Sequence, residues 1–291
     1  MPFLTTSPPL PLLSRRNYRC QCGQPVFFRN SQCLACGTPL GYDCERATLL
    51  PLVPAKLPGA ESGSQATPLW QAWQVASATA DNSAASGDPP DLLYKRCLNL
   101  STPAACNWLM GADDPHGMCR ACRLNRTIPD LADASQPDNG TLWGRVELAK
   151  RRLVSSLITL GLPVASRISE DTARGLVFDF LRSPVNGPHV MTGHNTGLIT
   201  LNVDEADDAK REAARKALRE PYRTLLGHFR HEVGHYYWDR LVAGTPWLDG
   251  FHQLFGAVVK QNSLRTFDPI RNDIADGIVQ RAGWCLNSWH R

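Results

Sequence analysis

The chain has 291 residues, of which 43% are hydrophobic, and its formal net charge is +4. This composition is that of a globular protein and excludes a largely disordered chain, while the small basic excess does not by itself indicate a nucleic-acid-binding or membrane-binding protein. No apolar run is long enough to span a membrane, and prolines interrupt the first residues. We therefore expect a cytoplasmic protein with no membrane partner.

A zinc ribbon is predicted at residues 19–50, after a disordered N-terminus at residues 1–18. Two closely spaced cysteine pairs are each followed by a glycine, where the tight turn around a metal needs a positive φ. So small a module buries too little apolar surface to fold alone, so we expect a structural zinc ion here. The four predicted ligands are Cys20, Cys22, Cys33 and Cys36.

Residues 51–92 are rich in proline, alanine, serine and glycine and poor in charge. This composition is typical of a linker between folded modules, and we predict one here. Trp70 and Trp73 interrupt the pattern, and either could pack on a neighbouring domain.

A second zinc-binding module is predicted at residues 93–130. Cys119 and Cys122 form a good half-site, and His116 could replace one of the other two ligands. For the basic side chains in this module, a solvated face is favoured over a nucleic-acid contact. The four predicted ligands are Cys97, Cys106, Cys119 and Cys122. The basic residues are Lys95, Arg96, Arg120, Arg123 and Arg126.

Residues 131–256 carry the periodic patterns of a compact domain. Apolar residues at steps of three and four predict helices, with a basic patch at 150–152, and β-rich runs flanked by glycine predict strands. The predicted elements are a helix at 142–160, strands at 175–181 and 197–203, and a charged helix at 206–220. This mixture predicts an α+β fold.

Another helix is predicted between Pro221 and Gly244. Proline suits the first helical position, where its missing N–H would have no partner, and glycine is a stop signal. Gly234 weakens a helix interior, which suggests that another group approaches the backbone there. The predicted buried stripe of this helix is formed by Leu226, Val233, Tyr237 and Leu241.

This helix contains the run His231-Glu232-Val233-Gly234-His235. Two histidines four residues apart lie on one helical face, so both can reach one metal ion, and the glutamate can take a proton from a metal-bound water. The pattern predicts zinc ligands at His231 and His235 and a catalytic base at Glu232. His228 is expected to be a packed or supporting group, and Asp239 either orients His235 or lies solvated. The alternative is a pair of ordinary surface histidines.

The chain resembles the bacterial zinc-binding metallopeptidases, a zincin-like family in which a zinc ribbon precedes a peptidase domain. The resemblance implies that His231 and His235 bind zinc and that Glu232 is the base. It also implies that the strand at 198–203 pairs with an extended substrate backbone. The matching segments are 20–23, 33–37, 106–109, 119–129, 197–202 and 221–238.

The expected third zinc ligand is missing from its place in this pattern. In the resembling family it is a glutamate on a later helix, whereas no glutamate follows Glu232 here. Residues 257–291 show little periodicity, so we hypothesise a frameshift or truncation after about Gly256. The third ligand is unknown from the sequence. The residues that could replace a glutamate are Asp249, His252, Asp268, Asp273 and Asp276.

Three functional hypotheses follow. The first is a zinc peptidase acting on peptides or proteins, with one catalytic Zn²⁺ and one or two structural Zn²⁺ ions. The second is a catalytically impaired copy that lacks the third ligand. The third is a zinc-ribbon adaptor for protein or nucleic acid, of which nucleic acid is the less expected partner. The sequence gives no oligomeric state.

Overall fold

The computed structural model describes residues 17–55, 68–73, 92–184, 186–217 and 223–255. Predictions for the N-terminal residues 1–16 and for the tail from residue 256 therefore lie outside the described residues. None of the described helices is both long and apolar enough to cross a membrane.

The N-terminal part is built from antiparallel strands. A two-stranded hairpin carries the first cysteine pair in its turn, and a five-stranded sheet follows in simple sequence order. The hairpin strands are β1 (Tyr18–Arg19) and β2 (Pro25–Val26). The sheet strands are β3 (Leu40–Asp43), β4 (Thr48–Pro54), β5 (Trp70–Ala72), β6 (Leu93–Arg96) and β7 (Leu109–Gly111).

The predicted linker at 51–92 was wrong at its N-terminal end and around Trp70, because β4 extends into it and β5 lies within it. Leu52 packs in a small core with Tyr94 and Leu109, and the Trp70 ring lies 5.4 Å from the Arg96 guanidinium carbon. These cross-strand contacts override a composition that is otherwise typical of a linker. Residues 56–67 and 74–91 lie outside the described residues.

The C-terminal part contains a four-stranded sheet and four helices. The sheet order is β10-β11-β9-β8, with β9 parallel to both of its neighbours and β10 antiparallel to β11. The strands are β8 (Asn125–Thr127), β9 (Val177–Leu181), β10 (Gly193–Asn195) and β11 (Leu198–Asn202). The helices are α1 (Asn139–Thr159), α2 (Asp208–Ala217), α3 (Leu225–Leu241) and α4 (Trp247–Phe255).

The two parts share one hydrophobic core. β8 belongs to the C-terminal sheet although it precedes residue 131, so this sheet begins inside the predicted second zinc module. The Tyr42 hydroxyl of β3 lies 2.6 Å from the Ser155 hydroxyl of α1. The apolar face of α1 is buried as its periodicity predicted, and strands and helices are mixed as expected.

Helix α3 begins four residues later than predicted. Thr224 caps it, because its hydroxyl accepts a hydrogen bond from the Gly227 N–H at 3.0 Å, so Pro221 is not its first residue. A Cβ at Gly234 would contact nothing within 4 Å, so the suggested close approach to that backbone was also wrong.

The buried stripe of α3 differs in part from the prediction. Val233 and Tyr237 are buried as expected, whereas Leu241 is 45% exposed. Phe229 takes the central place and packs edge-on against Phe178 and Phe180 of β9, at ring-centroid distances of 5.7 and 6.1 Å. These contacts hold α3 against the sheet.

A tight hairpin joins β10 to β11. Its two turn residues, Thr196 and Gly197, have φ angles of 45° and 92°, as a type I′ turn requires. β11 pairs with β10 on one side and β9 on the other, so both of its edges are occupied. The expectation that 198–203 pairs with a substrate was therefore wrong, and β10 is the edge strand.

Replacing Gly197 with alanine should destabilise the protein by about 2 kcal/mol, since a side chain at positive φ is strained. Its Cβ would also lie 2.7 Å from the Gly175 carbonyl oxygen. Gly193→Ala is the matched control in the same hairpin, because a Cβ there meets nothing within 4 Å. Urea unfolding of both variants measures the difference, and equal stabilities would contradict this account of the turn.

Candidate functional site

Helix α3 brings the two motif histidines together. The Nε2 atoms of His231 and His235 lie 3.2 Å apart, and their ring centroids are separated by 4.8 Å. Two nitrogen ligands at ordinary Zn–N distances on a tetrahedral ion lie about 3.3 Å apart. The separation of the two donor atoms therefore matches that of two nitrogen ligands on one zinc ion.

The protonation of these groups also suits a metal site. Burial, and then the charge of His231, lower the pKa of His235, whereas the charge of Asp239 raises it. A lowered pKa favours the neutral imidazole that binds metal. Burial raises the pKa of Glu232 to about 7, against an opposing effect of His228 and with a smaller raising effect of Glu205. A carboxyl group near neutrality can both accept and return a proton.

The edge strand β10 lies directly beside this pair. The His194 ring stacks on the His235 ring at 6.2 Å with an interplanar angle of 14°. Its Nε2 accepts a hydrogen bond from the Gly197 N–H at 2.8 Å, so Nδ1 carries the proton in the neutral ring. His194 is thus a neighbour of the histidine pair and is not placed as a third ligand.

Within the described part of the chain, no third histidine, cysteine or carboxylate completes a metal-binding group with His231 and His235. Asp249 and His252 lie on α4, which packs against α3 through the Trp238 and Phe251 rings at 6.4 Å. Neither residue joins the histidine pair. The other proposed replacements, Asp268, Asp273 and Asp276, lie outside the described residues.

Two further polar residues of α3 were considered from the sequence. Asp239 is exposed, and no hydrogen bond joins it to His235 in the described structure, so it acts on that imidazole through its charge alone. His228 contacts a carboxylate, that of Glu205, through its Nδ1 atom. Glu205 carried no signal in the sequence, because it lies in a short acidic segment between a predicted strand and a predicted helix.

The first cysteine group forms around the β1–β2 turn. Its sulfur atoms all lie within 4.8 Å of one another, with Cys20–Cys36 at 3.5 Å and Cys22–Cys33 at 3.8 Å. Sulfur ligands on one tetrahedral zinc ion lie about 3.8 Å apart. The hydroxyl and N–H of Thr38 lower the pKa of Cys36 to about 6, which favours the thiolate.

The second cysteine group is buried in the shared core. Cys97, Cys106, Cys119 and Cys122 are between 0% and 4% exposed, and their sulfur atoms also lie within 4.8 Å of one another. The Cys119 N–H donates to the Cys97 sulfur at 3.4 Å. His116 is not part of the group, so the four cysteines suffice.

Buried positive charge lies beside this second group. The basic patch predicted at 150–152 is wrong for Lys150 and Arg151, which are 0% and 3% exposed. Lys150 pairs with buried Glu147 at 2.8 Å, but two cations against one anion leave a net positive charge. A zinc ion with four thiolates is anionic, so it would balance this charge.

The other basic side chains of this module are also engaged within the chain. Arg120 pairs with Glu45 at 2.5 Å and Arg123 with Asp114 at 3.0 Å. Arg126 pairs with Asp179, and Arg96 donates to backbone carbonyls. The predicted solvated basic face is therefore largely neutralised by internal partners.

Two family models match the chain. Residues 139–264 match a family described as "Putative zinc-binding metallo-peptidase", and residues 17–133 match a family described as a zinc-ribbon domain. The chain is thus similar to a zinc ribbon over residues 17–133 and to this metallopeptidase family over residues 139–264. The resemblance seen in the sequence is thus confirmed, and the family match continues past Gly256. The zinc-ribbon match covers both cysteine groups and the segment between them.

Similar proteins occur in mycobacteria. An uncharacterized protein of Mycobacterium bovis and one from each of two strains of Mycobacterium tuberculosis are each 38% identical to this chain over 243 residues. The aligned region covers 83% of this chain but only 59% of each relative. No solved structure matches the chain.

The two cysteine groups should differ in their importance for folding. Cys36→Ser should lose one zinc ion with a smaller effect on stability, because Cys22 and Cys36 of this group are exposed. Cys119→Ser should lose one zinc ion and lower the free energy of unfolding by about 3 kcal/mol or more, because the binding energy of a buried structural zinc is folding energy. Native mass spectrometry and urea unfolding measure both effects.

Cys44→Ser is the matched control for these variants. Cys44 is buried but belongs to neither group, and burial raises the pKa of its thiol to about 12. It should keep both structural zinc ions. A Cys119→Ser protein as stable as the Cys36→Ser protein would contradict the central role of the buried group.

Proposed function

We propose that the chain is a zinc-dependent peptidase whose catalytic zinc is held by His231 and His235. The observation that carries this proposal is the 3.2 Å separation of their Nε2 atoms beside Glu232 and the edge strand β10. Similarity to the metallopeptidase family supports the same reaction class.

The reaction assigns one task to each group. Zinc held by the two histidines would lower the pKa of a water molecule and polarise the carbonyl of the scissile peptide bond. Glu232 takes a proton from the attacking water as the water oxygen bonds to the carbonyl carbon. It then gives this proton to the amine nitrogen as the C–N bond breaks.

The substrate is a peptide or an extended protein segment that adds to the open edge of β10. Main-chain hydrogen bonds to an edge strand bind a chain in extended form. β10 replaces the strand at 198–203 in this role, since both edges of β11 are paired. His194 on β10 contacts His235, so a peptide on this edge would run next to the metal pair.

Two structural Zn²⁺ ions are proposed in addition, one for each cysteine group. Both groups have the sulfur separations of a tetrathiolate zinc site.

The Tyr236 and Tyr237 hydroxyls of α3 donate hydrogen bonds to backbone carbonyls of the fold. These tyrosines therefore support α3 and are not assigned to catalysis.

A catalytically impaired copy is the second candidate. It is favoured by one observation, namely that the described residues supply two of the three protein ligands that a catalytic zinc needs. An adaptor for nucleic acid is less favoured, because the basic residues near the second cysteine group have partners within the chain.

Zinc counting separates these candidates. The full-length protein should bind about three zinc ions, and the His231→Ala/His235→Ala double variant one fewer, while both keep the cysteine-bound metal. Equal zinc in both proteins would mean that the histidine pair holds no metal and that the impaired copy is the correct description.

Glu232→Gln tests the proposed base. The variant should keep all its zinc but cleave unfolded casein at least about a hundredfold more slowly, because the amide cannot accept the proton of the water. Wild-type protein treated with a chelator is the companion sample. Cleavage by Glu232→Gln at the wild-type rate would exclude this role.

A further inference from the structure

We propose that Glu205 is a positioning residue that fixes the edge strand β10 against the metal-site helix α3. This inference rests on the proposed function, because it concerns how a peptide on β10 meets the metal pair. Glu205 lies in the 3₁₀ turn Val203–Ala206 that follows β11.

The carboxylate of Glu205 contacts both elements at once. Its Oε2 atom lies against Nδ1 of His228 on α3. Its Oε1 atom accepts a hydrogen bond from the Thr192 hydroxyl at 2.9 Å, and it lies 3.4 Å from an Arg223 nitrogen. One side chain therefore joins the residue before β10 to a residue of α3 and to the chain just before that helix.

Thr192 and His228 each lie where a shift of the side chain would move β10 or α3. Thr192 directly precedes β10, and its hydroxyl also accepts the Asn202 N–H at the end of β11 at 3.1 Å. His228 lies one helical turn before Glu232, and at 100° per residue the two side chains differ by about 40° around the axis. His228 thus lies on the same face as the metal pair.

The Glu205 carboxylate is charged and partly buried, and it contacts three side chains. The side chains of Glu205 and His228 are 13% and 21% exposed. Burial acts to raise the pKa of Glu205, but the contacts with His228, and then with Arg223 and Thr192, lower it overall. Glu205 is therefore an anion, and hydrogen bonds to an ionised acceptor are stronger than neutral ones.

The contacts of Glu205 are separate from those that hold the fold together. Phe229 fixes α3 to the sheet through Phe178 and Phe180, and β11 is paired along its length with β9. Losing the Glu205 carboxylate should leave this packing in place. It should release the start of β10 and the first turns of α3 relative to each other.

Release of β10 from α3 would change the distance between a bound peptide and the histidine pair. A peptide bound to β10 presents its carbonyl to the metal pair only if β10 and α3 keep their spacing. If only a fraction of the molecules keeps this spacing, the apparent dissociation constant of the peptide rises by the inverse of that fraction. The expected consequence is a weaker productive complex with an intact metal site.

The test uses full-length Glu205→Gln and Thr192→Val proteins. Glu170→Gln is the control, because Glu170 is also a glutamate that accepts from a polar partner and pairs with an arginine, in its case the Ser166 N–H and Arg123. The measurements are backbone hydrogen exchange at residues 190–195 and 226–232, zinc content, thermal midpoint, and KM and kcat on a fluorogenic casein-derived peptide.

Glu205→Gln should raise exchange about tenfold in both segments and raise KM about tenfold, with zinc content, thermal midpoint and kcat little changed. Thr192→Val should raise exchange at 190–195 only, and Glu170→Gln should match wild type. Unchanged exchange in Glu205→Gln overturns the proposal, and so does a fall in zinc content or thermal midpoint that accounts for the loss of activity.

The failure of the proposed function would look different. Wild-type protein that binds zinc but cleaves no peptide would overturn the peptidase assignment. In that case, raised hydrogen exchange in Glu205→Gln would still support the coupling of β10 to α3. Unchanged hydrogen exchange would overturn this coupling in addition to the peptidase assignment.

Discussion

The fold depends on the second cysteine group, whose four sulfur atoms are buried in the core that the two parts share. Cys97 and Cys106 come from the N-terminal part, and Cys119 and Cys122 lie immediately before the first strand of the C-terminal sheet. All four belong to the hydrophobic core that also contains Leu142 and Phe178. A metal ion at this point would cross-link the two parts at their shared core. Lys150 acts electrostatically on Cys122, so an anionic metal–thiolate group there would favour its buried charge.

The candidate site at His231 and His235 is connected to the second cysteine group by paired strands. β8 follows Cys122 closely, pairs with β9, and β9 in turn pairs with β11. The β10–β11 hairpin then places His194 against His235 on α3. The position of the edge strand therefore depends on a sheet that begins at the buried cysteines. In this arrangement the second cysteine group is part of the support of the C-terminal sheet and of α3, and not only an appended module.

The chemistry was more predictable than the architecture. Fixed spacings revealed both cysteine groups and the histidine pair, since metal geometry constrains sequence directly. The strand at Trp70 was missed because its stability comes from Tyr94 and Arg96, which are distant in sequence. The start of α3 was misplaced because Thr224 competes with Pro221 as a start signal. Glu205 was not recognised, because its role arises only when Thr192 and His228 are brought together by the fold.

For the proposed peptidase activity, the length of β10 has a consequence for the kind of polypeptide that could be cleaved. An edge of three residues offers few backbone donors and acceptors, so a long strand of a folded partner would gain little from it. A short unfolded stretch, such as a chain terminus or a loop exposed by damage, would use the whole edge without steric conflict. Selectivity would then come from whether a segment is locally unfolded, and only secondarily from its residue types.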